Sequence, residues 1–274
     1  MYLPLTRKLQ NIINKIAPFF VITTLLVVWQ ILCINGVVPK FMLPSPIDVV
    51  KAFIGDFPLL MEHTKTTLLE AFWGLFFGII LGFFVAVIMD GFPTAHKAIY
   101  PVIIITQTIP TVAIAPLLVL WLGYGILPKI TLIIITSFFP ITIGLLDGFH
   151  SADKDALNLM KAMGAGKVQR FIHIKLPSSI SHFFAGLRIS VSYSIIGAVV
   201  AEWLGGFSGL GVYMTRVRKS YSFDKMFAVI FFISAVSLLL MFGVTLLQRA
   251  CMPWERTERI NNKKLSWLCR RLWS

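Results

Sequence analysis

The sequence predicts an all-α integral membrane protein with six transmembrane helices, and three observations carry that prediction. Of 274 residues, 57% are hydrophobic and only 14% are charged, against an apolar share of ~45 to 50% in a soluble domain. Mean hydropathy is +0.82. Six apolar runs, at 16–38, 68–89, 98–122, 130–146, 183–204 and 226–248, meet or approach the ~20 residues needed to cross ~30 Å of hydrocarbon. A net charge of +13 would in a soluble chain suggest nucleic acid. Beside apolar runs it reads as cations gathered at the ends of spans, so the expected partner is the lipid bilayer and no nucleic acid.

Residues 1–15 form a tail whose Arg7, Lys8 and Lys15 precede the first run like the start of a secretory signal. The run that follows is 23 residues long and has no small-residue cleavage site, so it is expected to stay as the first span. The third run contains Pro101, Pro110 and Pro116. Proline lacks the N–H of the helical ladder, so this span must be kinked. Either the kink serves packing, or Gln107, Thr108 and Thr111 face a translocation path. Pro140 repeats the theme in the fourth run. The fifth is the weakest, with Arg188 near its start and Glu202 just before Gly205 and Gly206. An intramembrane charge costs roughly 3 kcal/mol or more and demands an explanation. Arg188 is close enough to the surface to snorkel, whereas Glu202 could line a cavity, hold a gate or cap a break in the helix. Glu70, at the start of the second run, reads as interfacial.

Six spans put both termini on one side. If that side is cytoplasmic, inner segments hold sixteen of the Lys and Arg residues and outer segments eight, in accord with the positive-inside rule. The cluster Arg216, Arg218, Lys219 and Lys225 leans the other way. The resulting plan is a cytoplasmic tail at 1–15, a six-span domain at 16–248 and a basic cytoplasmic tail at 249–274.

The long connection at 148–182 lies between the fourth and fifth spans. From Ser151 an acidic first turn leads into Ala156, Leu157, Leu159, Met160 and Met163 at helical spacing, and Gly164 stands where a helix stops. A second short helix carrying Val168, Phe171, Ile172 and Ile174 is expected to run to Pro177. Gly164-Ala165-Gly166-Lys167 looks like part of a phosphate loop, but Lys161 stands where the first glycine belongs and Val168 where the magnesium-binding hydroxyl belongs. A helix, a glycine elbow and another helix, apolar on one face and basic on the other, could lie on the bilayer or dock on a protein. Cys33, Cys251 and Cys269 have no paired spacing, and the five histidines have no ligand spacing. Neither a disulfide, a metal site nor a catalytic constellation is indicated.

The stretch "NLMKAMGAGKVQRFIHIKLPSSISHFFAGLRIS" resembles the EAA loop of binding-protein-dependent ABC importer permeases, with Gly164, Leu176 and Pro177 in register. Asn158, Leu159 and Met160 stand in place of its Glu-Ala-Ala triplet. "LPSPIDVV", "GLRIS", "AEWLGG" and "GLGVYM" extend the likeness to the nitrate, sulfonate and taurine branch. "LMKAMGA" and "YSIIGAVVAEWLGG" are most similar to permeases for thiamine-pyrimidine precursors such as hydroxymethylpyrimidine.

The resemblance implies the type I ABC importer permease fold in a bacterial inner membrane. It also implies a permease dimer, a cytoplasmic ATPase pair that binds ATP and Mg, and an extracytoplasmic substrate-binding protein, with no cofactor on this chain. Met160, Lys161, Met163, Gly164, Ala165, Gly166, Lys167, Leu176 and Pro177 would then form the ATPase-coupling segment, with Met160 and Met163 packing into a groove and Lys161, Lys167 and Arg170 facing its acidic rim. Against this, Leu159, Met160 and Met163 could merely seal the helix against the chain's own spans. The path would draw on Gln107, Thr108, Thr111, Ser192, Tyr193, Ser194, Glu202 and Trp203. Within the family the alternative solutes are aliphatic sulfonate, taurine, nitrate and riboflavin; outside it, an ion-coupled secondary transporter is the competing class.

Overall fold

A computed structural model describes residues 4–36, 38, 39 and 42–253. The C-terminal tail beyond Pro253, with Cys269, and the side chains of Arg7, Lys8 and Lys15 lie outside the described residues. Every regular element among the described residues is helical: α1 (Pro4–Ile34), α2 (Pro46–Gly55), α3 (Phe57–Gly91), α4 (Pro93–Thr108), α5 (Thr111–Leu122), α6 (Leu127–His150), α7 (Lys154–Ala162), α8 (Lys167–Arg170), a π-helical segment (Phe171–Lys175), α9 (Leu176–Gly205), α10 (Leu210–Lys219) and α11 (Phe223–Cys251). α3, α6, α11 and the continuous run Lys167–Gly205 are long and apolar enough to cross a membrane. α1 contributes the shorter apolar stretch Phe19–Ile34.

The third predicted span is broken rather than kinked. α4 and α5 meet at 99° across Ile109 and Pro110. Pro110 offers no N–H and pushes its predecessor out of the helical region, and Ile109 is extended at φ −82°, ψ 123°. Pro101 and Pro116 stay inside their helices, as Pro140 does inside α6. A second correction concerns Pro177. It ends no helix. It sits in the first turn of α9, where its missing N–H costs nothing, and the chain from Lys167 passes through the π segment into α9 without a stop.

α6 is the central helix, packed along α3 on one side and α9 on the other. Small residues allow this close approach. Gly74, Gly78 and Gly82, four apart on α3, face Ile133, Ser137 and Ile141 of α6. On the other side a Cβ at Gly186 of α9 would strike the Pro140 carbonyl. Side-chain hydroxyls tighten the seam, Ser190 Oγ donating to the Ser137 carbonyl at 2.6 Å. Arg188 does not simply snorkel; its guanidinium donates to the Gln248 side chain of α11. The outer faces of α3 and α11 expose Phe72, Phe76, Phe84, Leu238, Leu239 and Phe242, a surface suited to lipid.

Candidate functional site

The elbow is built by local chemistry. Asp153 caps α7, its carboxylate accepting from the Asp155 amide at 2.9 Å. At the other end Gly164 is left-handed at φ +85°. Its amide donates to the Lys161 carbonyl at 3.0 Å, and the Ala165 amide donates to the Met160 carbonyl at 2.9 Å. These two bonds close the helix end by the Schellman pattern. A Cβ at Gly164 would meet nothing, so glycine is required here for its backbone and not for space. The Gly166 amide donates to Gln169 Oε1 at 2.8 Å, so an amide that a phosphate cradle would need is already used.

α7 has no buried residue. Leu159 is 64% exposed, Met163 78% and Val168 69%, while Met160 is half-buried and Lys161 and Lys167 are exposed. Leu159, Met163 and Val168 therefore stand clear of the bundle, whereas Met160 is partly covered.

Behind the elbow the chain is held firmly. Lys175 Nζ donates to both Asp90 oxygens, at 2.7 and 2.9 Å, joining the π segment to the end of α3. Phe171 meets Phe149 of α6 edge-on with centroids 5.1 Å apart, and Leu176 packs into the same cluster. Sequence reasoning did not find Asp90 or Lys175 as partners.

A cleft of about 370 Å³ runs along the seam of α6 and α9 and is bordered by Gln107 of α4. Gln107 reaches it from α4, Asp147 from α6, and His182 and Tyr193 from α9. Pro140, Gly144 and Asp147 recur at helical spacing on α6, as His182, Gly186, Ile189 and Tyr193 do on α9, so one face of each helix forms the wall. Of the expected path residues, Gln107 and Tyr193 lie here. Thr108 is exposed and donates to the Ile105 carbonyl. Thr111 opens α5, Ser192 is half-buried, and Trp203 is exposed at the far end of α9. Ser194 is buried and donates to the Val191 carbonyl, so it faces the packing and not the cleft. Asp147 and His182 were missed, because their spacing to Gly144 and Gly186 acquires meaning only once the two helices touch.

Glu202 also departs from a path position. It is 1% exposed, and of the three roles open to it the geometry is that of the cap. The Gly211 amide donates to its Oε2 at 2.6 Å, and Thr67 donates to its Oε1 at 2.7 Å. Thr67 Oγ in turn accepts from the Leu210 amide at 2.9 Å, and His63 Nδ1 accepts from the Gly209 amide at 3.0 Å. Three successive amides at the start of α10 are thus satisfied by side chains of α3 and α9, where a helix otherwise leaves them orphaned.

Glu70, expected at an interface, is 2% exposed instead. Lys129, one of the eight cations counted in outer segments, is buried against it with Nζ 2.6 Å from the carboxylate. Each ion needs the other once water is excluded.

Residues 74–253 match the family described as "Binding-protein-dependent transport system inner membrane component". The chain is 35% identical over 232 residues to a probable ABC transporter permease protein of Haemophilus influenzae, covering 85% of this chain and 95% of that one. It is 34% identical over 246 residues to the formylaminopyrimidine transport permease protein ThiX of Halalkalibacterium halodurans, covering 89% and 98%. Among solved structures, the MetNI methionine ABC transporter in inward-facing conformations superposes with a TM-score of 0.63 at 18% identity, over 71% of this chain and 96% of that chain. A bacterial ABC transporter that imports alginate does so with a TM-score of 0.60 at 16% identity, over 89% and 99%.

Proposed function

We propose, from the premise that this chain belongs to the binding-protein-dependent transport system inner membrane components and is a permease subunit of an ATP-binding-cassette importer, that the solute it carries is a thiamine pyrimidine precursor. The observation that carries the substrate reading is the likeness to the formylaminopyrimidine permease over 98% of that protein's length. A riboflavin permease of Chloroflexus aurantiacus is 29% identical and an aliphatic sulfonate permease of Bacillus subtilis 27%.

In this reading two copies of the chain enclose the path and an extracytoplasmic binding protein delivers the solute. ATP and Mg act on a separate pair of cytoplasmic ATPase subunits. Of the expected pair Met160 and Met163, Met163 is the exposed one and enters a groove on the ATPase with Leu159 beside it, methionine adapting to its irregular surface, while Lys161, Lys167 and Arg170 pair with acidic groups at its rim. Closure of the ATPase pair on ATP moves α7. Lys175 bound to Asp90 and Phe171 packed on Phe149 transmit that motion to α3, α6 and α9 as a rigid-body tilt. The cleft between α6 and α9 is then one half of the path.

The elbow and both termini are cytoplasmic. Lys225, one of the cluster that leans against this orientation, is held by Asp56.

The test is uptake by proteoliposomes containing the chain with the ATPase and binding protein encoded beside it. ATP-dependent accumulation of hydroxymethylpyrimidine or its formylamino relative is expected. Accumulation by the isolated chain under an ion gradient alone would assign it to the secondary transporters.

A further inference from the structure

We propose, resting on the reading of the α6–α9 cleft as part of the solute path, that Asp147 and His182 form a charge filter that passes neutral or cationic hydrogen-bonding heteroaromatics and holds back anions.

Four polar side chains, Gln107, Asp147, His182 and Tyr193, converge on one cleft. Among the described residues none of the four has a side-chain hydrogen bond to the rest of the chain, whereas the buried hydroxyls of Thr64, Ser137, Thr142, Ser190 and Ser194 are bonded to backbone carbonyls. Gln107, Asp147 and Tyr193 are exposed and His182 is half-buried, so their polar groups face the open cleft and can meet water or a solute there.

Charge gives the sign. Asp147 is the one formally charged residue among those lining the cleft. The cations that flank His182 along the chain are engaged elsewhere, Arg188 with Gln248 of α11 and Lys175 with Asp90 of α3. A second copy across the path would add a second Asp147 and so strengthen the same field. Sites that hold nitrate or sulfonate need cations or several N–H donors, and this cleft sets a carboxylate in their way.

The chemistry suits an aminopyrimidine. Asp147 can accept from its exocyclic amine, Gln107 and Tyr193 can donate to its ring nitrogens, and the Tyr193 ring offers a stacking face. The cleft volume of about 370 Å³ is that of a small-molecule site.

The filter is also rigidly placed. A Cβ at Gly144 would come within 2.8 Å of the His182 carbonyl, and one at Gly148 within 2.5 Å of Ser179 Cα. The helix backbones touch beside both residues, which fixes the spacing of Asp147 and His182.

The experiment uses His182→Cys in a variant with Cys33, Cys251 and Cys269 replaced, assembled with its ATPase and binding protein in proteoliposomes. The thiol is exposed to methanethiosulfonates carrying either a trimethylammonium or a sulfonate group, with rates normalised to a free thiol. The cationic reagent is expected to react about fivefold faster than the anionic one, as a single partly screened carboxylate requires, and Asp147→Asn is expected to erase the difference. Modification is expected to block hydroxymethylpyrimidine uptake while ATP hydrolysis continues. Equal normalised rates with Asp147 present would overturn the filter even if uptake is blocked. A charge preference at a thiol whose modification leaves uptake intact would remove the cleft from the path and the proposal with it, a failure distinct from the first.

Discussion

Replacing Gly164 with valine perturbs the elbow without touching anything around it. The residue sits at φ +85° with open space where a Cβ would go, so the change introduces no collision. It introduces backbone strain, about 1 to 2 kcal/mol for a side chain forced into the left-handed region. Because α7 contributes no residue to the core, the chain can relieve that strain by abandoning the turn, at no loss to the bundle. At ~1.4 kcal/mol per tenfold, the native elbow falls roughly five- to thirtyfold in relative population. Asn visits the left-handed region at less cost, so Gly164→Asn is the control.

The assay compares membrane content, ATP hydrolysis and uptake in the same vesicles. Gly164→Val is expected at normal abundance, with solute moved per ATP reduced by about an order of magnitude, and Gly164→Asn close to the parent. A well-expressed valine variant that transports at full efficiency would refute the reasoning, because the turn would then have no part in coupling.

The remaining predictions concern the ion pairs. Glu70→Gln takes from buried Lys129 its bonded carboxylate and leaves Glu202 as the remaining one nearby, and is expected to cost about 3 kcal/mol, the low end for a broken buried pair, read as a lower unfolding temperature in detergent; Glu70→Leu combined with Lys129→Met should recover most of that loss. Asp90→Ala is expected to lower solute moved per ATP more than abundance, and exchanging Asp90 and Lys175 for one another should restore part of it, measured in the same coupled assay. Asp56 joins α2 and α3 to Lys225 and Tyr213. Burial pulls its carboxyl upward, but hydrogen bonds from Lys225 and Tyr213, with the Lys225 charge, outweigh that and hold it below its ordinary value. A lowered carboxyl stabilises the fold above its unfolded pKa and stops doing so as pH falls through the folded one. Detergent stability should therefore decline only in the acid range below ~4, and Asp56→Asn should flatten that part of the profile.

What was legible in the sequence was local or one-dimensional. Apolar runs marked α3, α6, α9 and α11 because crossing hydrocarbon sets a minimum length. The elbow could be read from the acidic turn after Ser151 and from Gly164, because a cap and a left-handed turn are settled within a few residues, although the cap itself is Asp153 and Ser151 closes α6. What escaped was long-range. Glu70 with Lys129, Asp90 with Lys175 and Thr67 with Glu202 are 59, 85 and 135 positions apart, so each looked like an isolated polar residue. Ser194 and Glu202 were placed on the path because they are polar within a span, yet the rotation of α9 turns both into the packing. Asp147 and His182 went unnoticed for the converse reason, since the glycines that bring their helices together carry no chemistry of their own. The prolines announced a disturbance in the third span. Its size, 99°, depended on Pro110 forcing Ile109 out of the helix while Pro101 and Pro116 were absorbed.

Coupling through α7 is tested most directly by placing a photo-crosslinking amino acid at Met163 in the assembled transporter and identifying its adduct by mass. The account predicts a covalent adduct with the ATPase subunit, in a yield that changes when ATP is added. Adducts confined to lipid or to this chain's own spans would contradict it.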